Sequence, residues 1–574
     1  MKKLLTFMPY APIDQLPVDE SAFIEDDLYL LGFKKTSYQS LEFDLCIDGE
    51  LYNTEEITKE LILANFKAPT CLEEVFLYSY LLWGNEAMRK LEGSYSFTIR
   101  KGKTILSIKD PMGTKPIFYM SNKKGIWVSN SIDTILEYSE EPAVLNKDGI
   151  IELFAFGPSL SESETLFKDI KVLPMGSILS LRDHKVQVER YYDLPLYKHE
   201  DSLEDTIAKV HDLVHDSVIN QSKDCKASFL SGGVDSSIIT SICTKNNPDW
   251  HTYSLDYEGN SENFKGNMYQ VSLDQEYIDE MLAYCKNSHT KLTITQKELL
   301  DALDEAMLAR NMPGMGDVDS SLLWLCEQVA KEEKVILSGE CGDEVFGGYP
   351  WFYREEFKDI QTFPWLRYSE QRIQLLNKRI QDFDYQGYVD KRYLETLAMV
   401  KYLDSDSEED KKARLNTVLV LHWFMQTLVT RQVCEGDKAK VNIRAPFANV
   451  KLLEYVYNIP WSMKFLNDEE KGILRKAFED ELPTKVAHRK KNPFPKTHNP
   501  LYADLIAEKV KERFDDPNSP LHVLFDDEKL KELIDTKGAS YTLPWYGQLM
   551  SGPQLLSYIY QIDRWICEYH VTIE

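Results

Sequence analysis

The sequence predicts two domains, an α+β sandwich of two sheets followed by an α/β domain with a parallel sheet and a helical C-terminal part. Three observations carry this prediction. Up to residue 193, short β-type runs alternate with turn residues, which is typical of sheets. From residue 203 onward, strands alternate with helices, which is typical of a parallel sheet. The length of 574 residues exceeds what one hydrophobic core supports, and we divide the chain into residues 1–195 and 196–574.

The N-terminal part consists of short apolar or alternating runs separated by turn residues. Runs of this kind indicate strands, and residues 72–91 supply a helix between them. An α+β sandwich of two sheets is the expected result. The predicted strands are residues 43–47, 94–99, 104–108, 117–119, 125–129 and 177–181.

The second part is organised around a strand, a tight turn and a helix at residues 227–242. Glycines in the turn let backbone N–H groups approach a phosphate, serine hydroxyls add donors, and the helix N-terminus favours negative charge. The turn, residues 230–237 and hereafter the glycine loop, is therefore predicted to hold a pyrophosphate. Its candidate phosphate-binding residues are Leu230, Ser231, Gly232, Gly233, Asp235, Ser236 and Ser237.

Acidic residues in two loops predict a Mg²⁺ site. Asp235 would be unfavourable beside a phosphate unless a divalent cation lies between them. The strand at residues 335–337 ends in residues 338–344, hereafter the acidic loop, and parallel strands bring both loops to the same sheet edge. We assign Asp235 and Asp343 as Mg²⁺ ligands and place Glu340 at the reacting centre. The nucleotide-binding residues also include Ser254, Ser338 and Gly339.

Composition disfavours several classes of partner. The formal net charge of −27 argues against a nucleic-acid partner, because such binding relies on clustered Lys and Arg. Nine scattered cysteines without a CxxC pair indicate neither a disulfide framework nor a zinc site, so reduced thiols and a cytoplasmic location are expected. The apolar run at the start ends at Pro9, and no run is long enough to span a membrane, so no membrane partner is expected.

The glycine loop reads Ser-Gly-Gly-Val-Asp-Ser-Ser at residues 231–237 and resembles the PP-loop of ATP pyrophosphatases, which adenylate a substrate. Together with Ser-Gly-Glu-Cys-Gly-Asp-Glu-Val-Phe-Gly-Gly-Tyr at residues 338–349, it resembles the synthetase domain of asparagine synthetases. Residues 444–447, 470–475 and 489–494 resemble later motifs of the same family. The resemblance implies ATP and Mg²⁺ as cofactors.

Lys471 lies in the second of these later motifs, at the predicted start of a helix. The helix dipole makes a cation unfavourable there unless an anion lies nearby. We therefore assign Lys471, with Glu340, as a catalytic residue that meets negative charge on the reacting acyl-adenylate.

Four stretches of the N-terminal part resemble landmarks of the class II glutamine amidotransferase (Ntn-like) domain of asparagine synthetases, namely residues 48–53, 91–97, 110–119 and 190–193. That domain works through a cysteine at the mature N-terminus. This chain has Lys2 there, Asp48 where an asparagine is usual, and Leu72 where an acid is expected. Its first cysteine, Cys46, falls inside a predicted strand. These departures predict a scaffold domain that no longer hydrolyses glutamine.

The expected function is ATP-dependent amide formation, in which a carboxylate is adenylated and then attacked by ammonia or an amine. Aspartate is the default carboxylate, although Asn442 and residues 433–438 depart from the family pattern near the expected acceptor site. Two alternatives stay open. One is a tailoring enzyme that forms an internal amide on a small molecule or peptide, as the related β-lactam synthetases and lasso-peptide cyclases do. The other is a non-catalytic nucleotide-binding partner of an active paralogue. A homodimer is also left open.

Overall fold

The computed structural model describes residues 3–9, 22–25, 28–266, 272–366, 369–546 and 552–574. The chain divides into two compact units. The first contains the chain up to Gly149, together with Ser161–Pro195 and Thr572–Glu574. The second contains Ile150–Leu160 and Leu196–Val571.

The first unit contains two six-stranded antiparallel sheets. Every strand predicted from the sequence is present. The order across the first sheet is Ile170–Val172, Phe118–Ser121, Gly125–Ser129, Leu5–Pro9, Leu28–Leu31 and Ala22–Glu25. The order across the second sheet is Lys185–Arg190, Ser177–Arg182, Thr104–Lys109, Gly93–Lys101, Leu41–Leu51 and Lys34–Tyr38. A short parallel pair joins Val144–Leu145 to Thr572–Ile573.

Two hydrophobic clusters hold the first unit together. In one of them, Leu30 and Val128 of the first sheet pack with Ile105 and Leu179 of the second, so the sheets form a sandwich. The other cluster lies between the second sheet and the helices that cover it, where Phe76 has its ring 4.7 Å from that of Phe97. The helices of this unit are Thr54–Leu63, Leu72–Trp83, Ala87–Lys90, Ile132–Ser139 and the start of Lys147–Ile151.

The second unit is built on a five-stranded parallel sheet. Its order is Ser288–Ile294, His251–Tyr257, Ala227–Phe229, Val335–Leu337 and Asn442–Arg444. Helices connect these strands, as the alternating pattern predicts. The last strand was not predicted, because three residues are too few to show a periodic pattern.

The remainder of the second unit is helical, which confirms the predicted helical C-terminal part. A π-helical turn at Val420–Phe424 joins two of the helices into one long rod. No helix among the described residues is both long and apolar enough to cross a membrane. The α-helices are Leu203–Ser222, Val234–Asn246, Asn260–Asn263, Gln275–Cys285, Gln296–Asp301, Leu303–Arg310, Asp317–Val329, Gly342–Phe346, Pro350–Tyr353, Ser369–Ile373, Lys378–Gln381, Tyr385–Leu397, Glu408–Leu419, Met425–Ala439, Val450–Asn458, Trp461–Lys464, Gly472–Ala477, Thr484–Ala487, Pro500–Phe514, Leu521–Leu524, Asp527–Asp535 and Pro553–Glu568.

Candidate active site

A cavity of about 250 Å³ lies beside the carboxyl ends of the central strands of the parallel sheet. Ligands of parallel α/β sheets gather at this edge. Both the glycine loop and the acidic loop contribute to its wall, as the sequence predicts. The predicted site residues that line it are Leu230, Ser231, Gly233, Asp235, Ser236, Ser254, Ser338, Gly339, Glu340, Asp343 and Lys471.

The glycine loop is held by its own hydroxyl groups. The helix Val234–Asn246 begins directly after Gly233, whose backbone is extended. Ser236 Oγ accepts a hydrogen bond from the backbone N–H of Ser231 at 3.2 Å and lies 3.1 Å from Ser231 Oγ. These contacts fix the two hydroxyl groups that face the cavity.

Two residues assigned to phosphate binding, Gly232 and Ser237, do not line the cavity. Gly232 has a φ of +68°, and a Cβ there would lie 2.6 Å from Tyr277 Cβ and 2.9 Å from the backbone N of Ile278. Glycine is needed at this position because the turn packs directly against the helix Gln275–Cys285. Ser237 is fully buried and does not line the cavity, because it points from the helix into the protein interior.

The two predicted metal ligands share one lysine. Lys471 Nζ lies 2.6 Å from Asp235 Oδ2 and 2.8 Å from Asp343 Oδ1. The close approach of the two loops depends on Gly342, since a Cβ there would lie 2.5 Å from Asp235 Oδ1. Lys471 is the residue before the helix Gly472–Ala477, and the anions that its position requires are these two carboxylates.

Burial and charge act in opposite directions on these groups. Burial disfavours the charged form of Lys471, but the two carboxylates outweigh it and raise the pKa of the ammonium. Burial also opposes ionisation of Asp343, yet Lys471 and Lys491 hold the pKa of its carboxyl well below the usual range. For Asp235, burial prevails over the attraction of Lys471, and its pKa is raised. Lys471 and Asp343 are therefore the firmly charged members of the cluster.

The carboxylates fit the requirements of Mg²⁺. This ion is commonly held by one or two carboxylates, with substrate phosphates and water completing the octahedron. Asp235 Oδ1 is buried and has no hydrogen-bond partner in the described part of the chain, so it is available to a cation. The described residues contain no group of three metal-binding side chains.

Glu340 is paired with a residue that the sequence did not single out. Arg431, from the helix Met425–Ala439, is 2 % exposed and donates from Nη2 to Glu340 Oε1 at 2.6 Å. Its guanidinium carbon also lies 5.0 Å from the centre of the Phe494 ring. Arg431 is 91 positions from its partner in the chain. No local pattern could therefore connect the two.

Basic residues of the stretch 489–494 also reach the site. Lys491 Nζ lies 2.5 Å from Asp343 Oδ2. Arg489 donates to the backbone oxygen of Ser231 at 2.8 Å, and its guanidinium carbon lies 4.1 Å from the centre of the Tyr277 ring. The sequence identified this stretch only by its resemblance to a motif. The run of basic residues at 489–491 was the sequence signal for phosphate binding that was available.

The predicted amidotransferase positions can be placed only in part. Lys2 lies outside the described residues. Cys46 is 1 % exposed within the strand Leu41–Leu51 and packs between the two sheets. Asp48, on the same strand, accepts a hydrogen bond from Asn130 Nδ2 at 2.8 Å. Leu72 is the first residue of its helix. Neither the buried Cys46 thiol nor the Leu72 side chain offers a nucleophile or a carboxylate to a substrate.

Two family models match the chain. The asparagine synthase model matches residues 209–566, and the glutamine amidotransferase domain model matches residues 31–192. The chain belongs to the asparagine synthase family. Its fold agrees with that assignment, because an Ntn-type domain with two antiparallel sheets precedes a parallel-sheet synthetase domain.

The relatives extend the match over most of the chain. Asparagine synthetase [glutamine-hydrolyzing] 3 of Bacillus subtilis (strain 168) is 39% identical over 550 residues, 94% of this chain and 89% of that protein. Asparagine synthetase [glutamine-hydrolyzing] 1 of the same organism is 24% identical over 508 residues, 81% of this chain and 77% of that protein. Our chain is accordingly an ATP-dependent ligase that forms a carbon–nitrogen bond and yields AMP.

The two glycines of the loop should respond differently to an added methyl group. Gly232→Ala combines a left-handed backbone with a collision against Tyr277 and Ile278, so we expect a loss of about 1–3 kcal/mol in the free energy of unfolding. Gly233→Ala is the matched control, because Gly233 has a negative φ and its nearest neighbour is Ser231 Oγ at 3.3 Å. The thermal unfolding midpoint should fall in the first variant alone. An equal fall in both would contradict this account.

Proposed function

We propose that the second unit adenylates a carboxylate with Mg·ATP and then transfers the acyl group to ammonia or an amine. The observation that carries the proposal is the cluster of Asp235, Asp343 and Lys471, which joins both loops at the cavity. Adenylation converts a carboxylate oxygen, a poor leaving group, into AMP. Amide formation then releases AMP as the amine attacks.

Two kinds of group would bind the phosphates of ATP in this cavity. Ser231 and Ser236 supply hydroxyl groups, while Arg489 and Lys491 supply positive charge. Asp235 and Asp343 would hold Mg²⁺, which absorbs the charge that develops on pyrophosphate as it leaves. The ion pairs of Lys471 hold the two loops in register, so little reorganisation is required when the charge develops.

Lys471 would act mainly in the second half-reaction. Its ammonium is buried and firmly charged, and it lies at the junction of the two loops. Negative charge grows on the acyl carbonyl oxygen and on AMP during amine attack, and a fixed cation stabilises that charge. Glu340 lines the same cavity from the acidic loop, and Arg431 fixes the position of its carboxylate.

We also propose that the nitrogen does not come from glutamine. The support is Lys2 in place of the nucleophilic cysteine, with the buried Cys46 and the apolar Leu72 giving no substitute. Both relatives described above are named as glutamine-hydrolysing enzymes, so this property would distinguish the present chain from them. Aspartate and ammonium are the reference substrates, because those relatives are named asparagine synthetases.

A non-catalytic role is less well supported. A protein that only binds nucleotide has no need for a buried lysine between two carboxylates, since burying these charges is costly unless they serve each other or a ligand. The retained cluster of Asp235, Asp343 and Lys471 therefore favours an enzyme.

The metal role of Asp235 can be tested by nucleotide binding. Asp235→Asn keeps the size of the side chain but removes the charge offered to Mg²⁺, so we expect at least tenfold weaker ATP binding with Mg²⁺ and no change with EDTA. Isothermal titration calorimetry measures both. Asp256→Asn is the control, because Asp256 pairs with Lys291 at 2.6 Å and does not line the cavity. Unchanged Mg·ATP affinity in Asp235→Asn would refute the metal assignment.

Lys471→Met retains the aliphatic stem and removes the cation. We expect ATP affinity to stay within a few-fold, while amide formation falls by about 10²–10³, as for a lost oxyanion donor. AMP release with aspartate and ammonium, followed in single turnovers, is the measurement. Lys476→Met is the control, because Lys476 lies on the helix that begins directly after Lys471 and is exposed. A rate equal to that of the control would exclude Lys471 from the chemistry.

Glutamine should not serve as a nitrogen donor. We expect glutamate release from glutamine to equal the rate without enzyme, because the covalent route needs a cysteine nucleophile and Lys2 stands where the family's cysteine is expected. Ammonium added to the same assay should support AMP formation. Glutamate release above the background rate would show that the N-terminal domain is active.

A further inference from the structure

Ser254 connects the active-site cavity to a series of hydrogen bonds between two strands of the parallel sheet. It lies in the strand His251–Tyr257 and lines the cavity. Its Oγ atom lies 3.0 Å from Nε2 of His289, on the neighbouring strand Ser288–Ile294. His289 does not line the cavity, so any effect that it has on a ligand must pass through the hydroxyl group of Ser254.

The side chain of Ser254 faces the side of the sheet that the helix Gln275–Cys285 covers. Successive side chains of a strand point to opposite faces, and Ser254 shares its face with His289 because the two are hydrogen-bonded. The charge of Asp279, on the covering helix, interacts with the His289 ring. Ile278 of the same helix lines the cavity. The hydroxyl group of Ser254 therefore lies on the side of the sheet on which Ile278 enters the cavity wall.

The strand order indicates which part of ATP would meet Ser254. The strand that leads into the glycine loop lies between His251–Tyr257 on one side and Val335–Leu337, which leads into the acidic loop, on the other. Asp235 and Asp343, which we assign to Mg²⁺ and the phosphates, meet on the side of the acidic loop. The nucleoside end of the molecule would therefore extend to the opposite side, where Ser254 lines the cavity.

The far end of the series fixes the direction of its hydrogen bonds. Asn287 Nδ2 lies 2.8 Å from the backbone oxygen of Ser288 and 2.9 Å from Oγ1 of Thr252. A backbone oxygen only accepts, so this atom is the amide nitrogen, and it also donates to Thr252. Thr252 Oγ1 donates its own hydrogen to the same backbone oxygen at 3.3 Å. A lone pair of Thr252 Oγ1 thus remains for Nδ1 of His289, which lies 2.9 Å away.

These contacts select one form of the His289 ring. Burial lowers the pKa of the ring, so at neutral pH it has one donor nitrogen and one acceptor nitrogen. A hydrogen bond to the backbone of Thr252 acts in the opposite direction on this pKa, which is the effect of a carbonyl oxygen that accepts from the ring. The donor is therefore Nδ1, on the side of Thr252. Nε2 is the acceptor, and the hydroxyl group of Ser254 donates to it.

A hydroxyl group that donates to His289 can only accept from a ligand. Ser254 Oγ has a single hydrogen, which points to Nε2 of His289, and its lone pairs remain for the cavity. Adenine has an amino group, a donor, at its 6-position, whereas guanine and hypoxanthine have an oxygen there, an acceptor. Two acceptors that face each other repel, so the arrangement favours adenine.

We propose that the series of hydrogen bonds from Asn287 to Ser254 sets the base preference of this ligase. Ser254 is the specificity-determining residue, which accepts from the 6-amino group of adenine, and His289 is the positioning residue that holds its hydroxyl group. This inference rests on the proposed function, because Ser254 meets a base only if the glycine loop holds the phosphates of the nucleotide.

Three nucleotides test the inference on the unaltered full chain. They are ATP, purine riboside triphosphate, which lacks the 6-amino group, and inosine triphosphate, which has an oxygen in its place. With Mg²⁺, we expect calorimetry to show ATP binding about five- to tenfold more tightly than purine riboside triphosphate, on the scale of one hydrogen bond. Inosine triphosphate should bind more weakly still. Equal affinities would overturn the inference and leave the adenylating function standing, whereas binding of none of the three would overturn both.

Variants assign the preference to the two residues. Ser254→Ala should bring the affinities for ATP and purine riboside triphosphate within about twofold, because the acceptor is removed. His289→Leu should raise the affinity for inosine triphosphate several-fold, because the hydroxyl group of Ser254 is then free to turn and donate to the inosine oxygen. His251→Leu is the control, since His251 also contacts two hydroxyl groups, those of Ser288 and Thr290, but does not line the cavity. An unchanged base preference in Ser254→Ala or in His289→Leu would contradict the assignment.

Discussion

The active-site architecture depends on one buried cation between two carboxylates. Asp235 and Asp343 lie in the first turns of helices that follow two different strands. Without Lys471, which pairs with both, their carboxylates would repel each other. Removing one partner from such a group leaves an uncompensated buried charge, which costs about 3–5 kcal/mol. The two ion pairs of Lys471 therefore offset the repulsion between the carboxylates where the two loops meet.

Close backbone packing makes this spacing attainable. A Cβ on Gly342 would lie 2.5 Å from Asp235 Oδ1, and one on Gly348 would lie 2.0 Å from Asp343 Oδ1. Any side chain at either position would push a carboxylate away from Lys471. Gly342 and Gly348 thus leave room for the two carboxylates, while Gly232 allows the glycine loop to pack against the helix Gln275–Cys285.

The cavity combines positive charge with hydroxyl groups. Arg489, Lys490 and Lys491 line it together with Ser231 and Ser236 of the glycine loop, and a nucleotide phosphate bound there would meet both kinds of group. The Arg431–Glu340 pair lines the same cavity and carries no net charge.

The sequence by itself determined the order of the domains, the parallel sheet and the two loops, because each of these depends on local signals. The period of the apolar residues predicts a strand or a helix, and glycines directly after a strand predict a loop. Tertiary structure alone decided which side chains meet. Arg431 and Glu340 are 91 positions apart, and Lys471 and Asp235 are 236 positions apart, so no local pattern connects them. It also decided that Gly232 packs against a neighbouring helix and that Ser237 is buried. Sequence could not show that Phe424 and Leu428 line a cavity, because a helical apolar stripe has the same pattern whether it faces a core or a ligand.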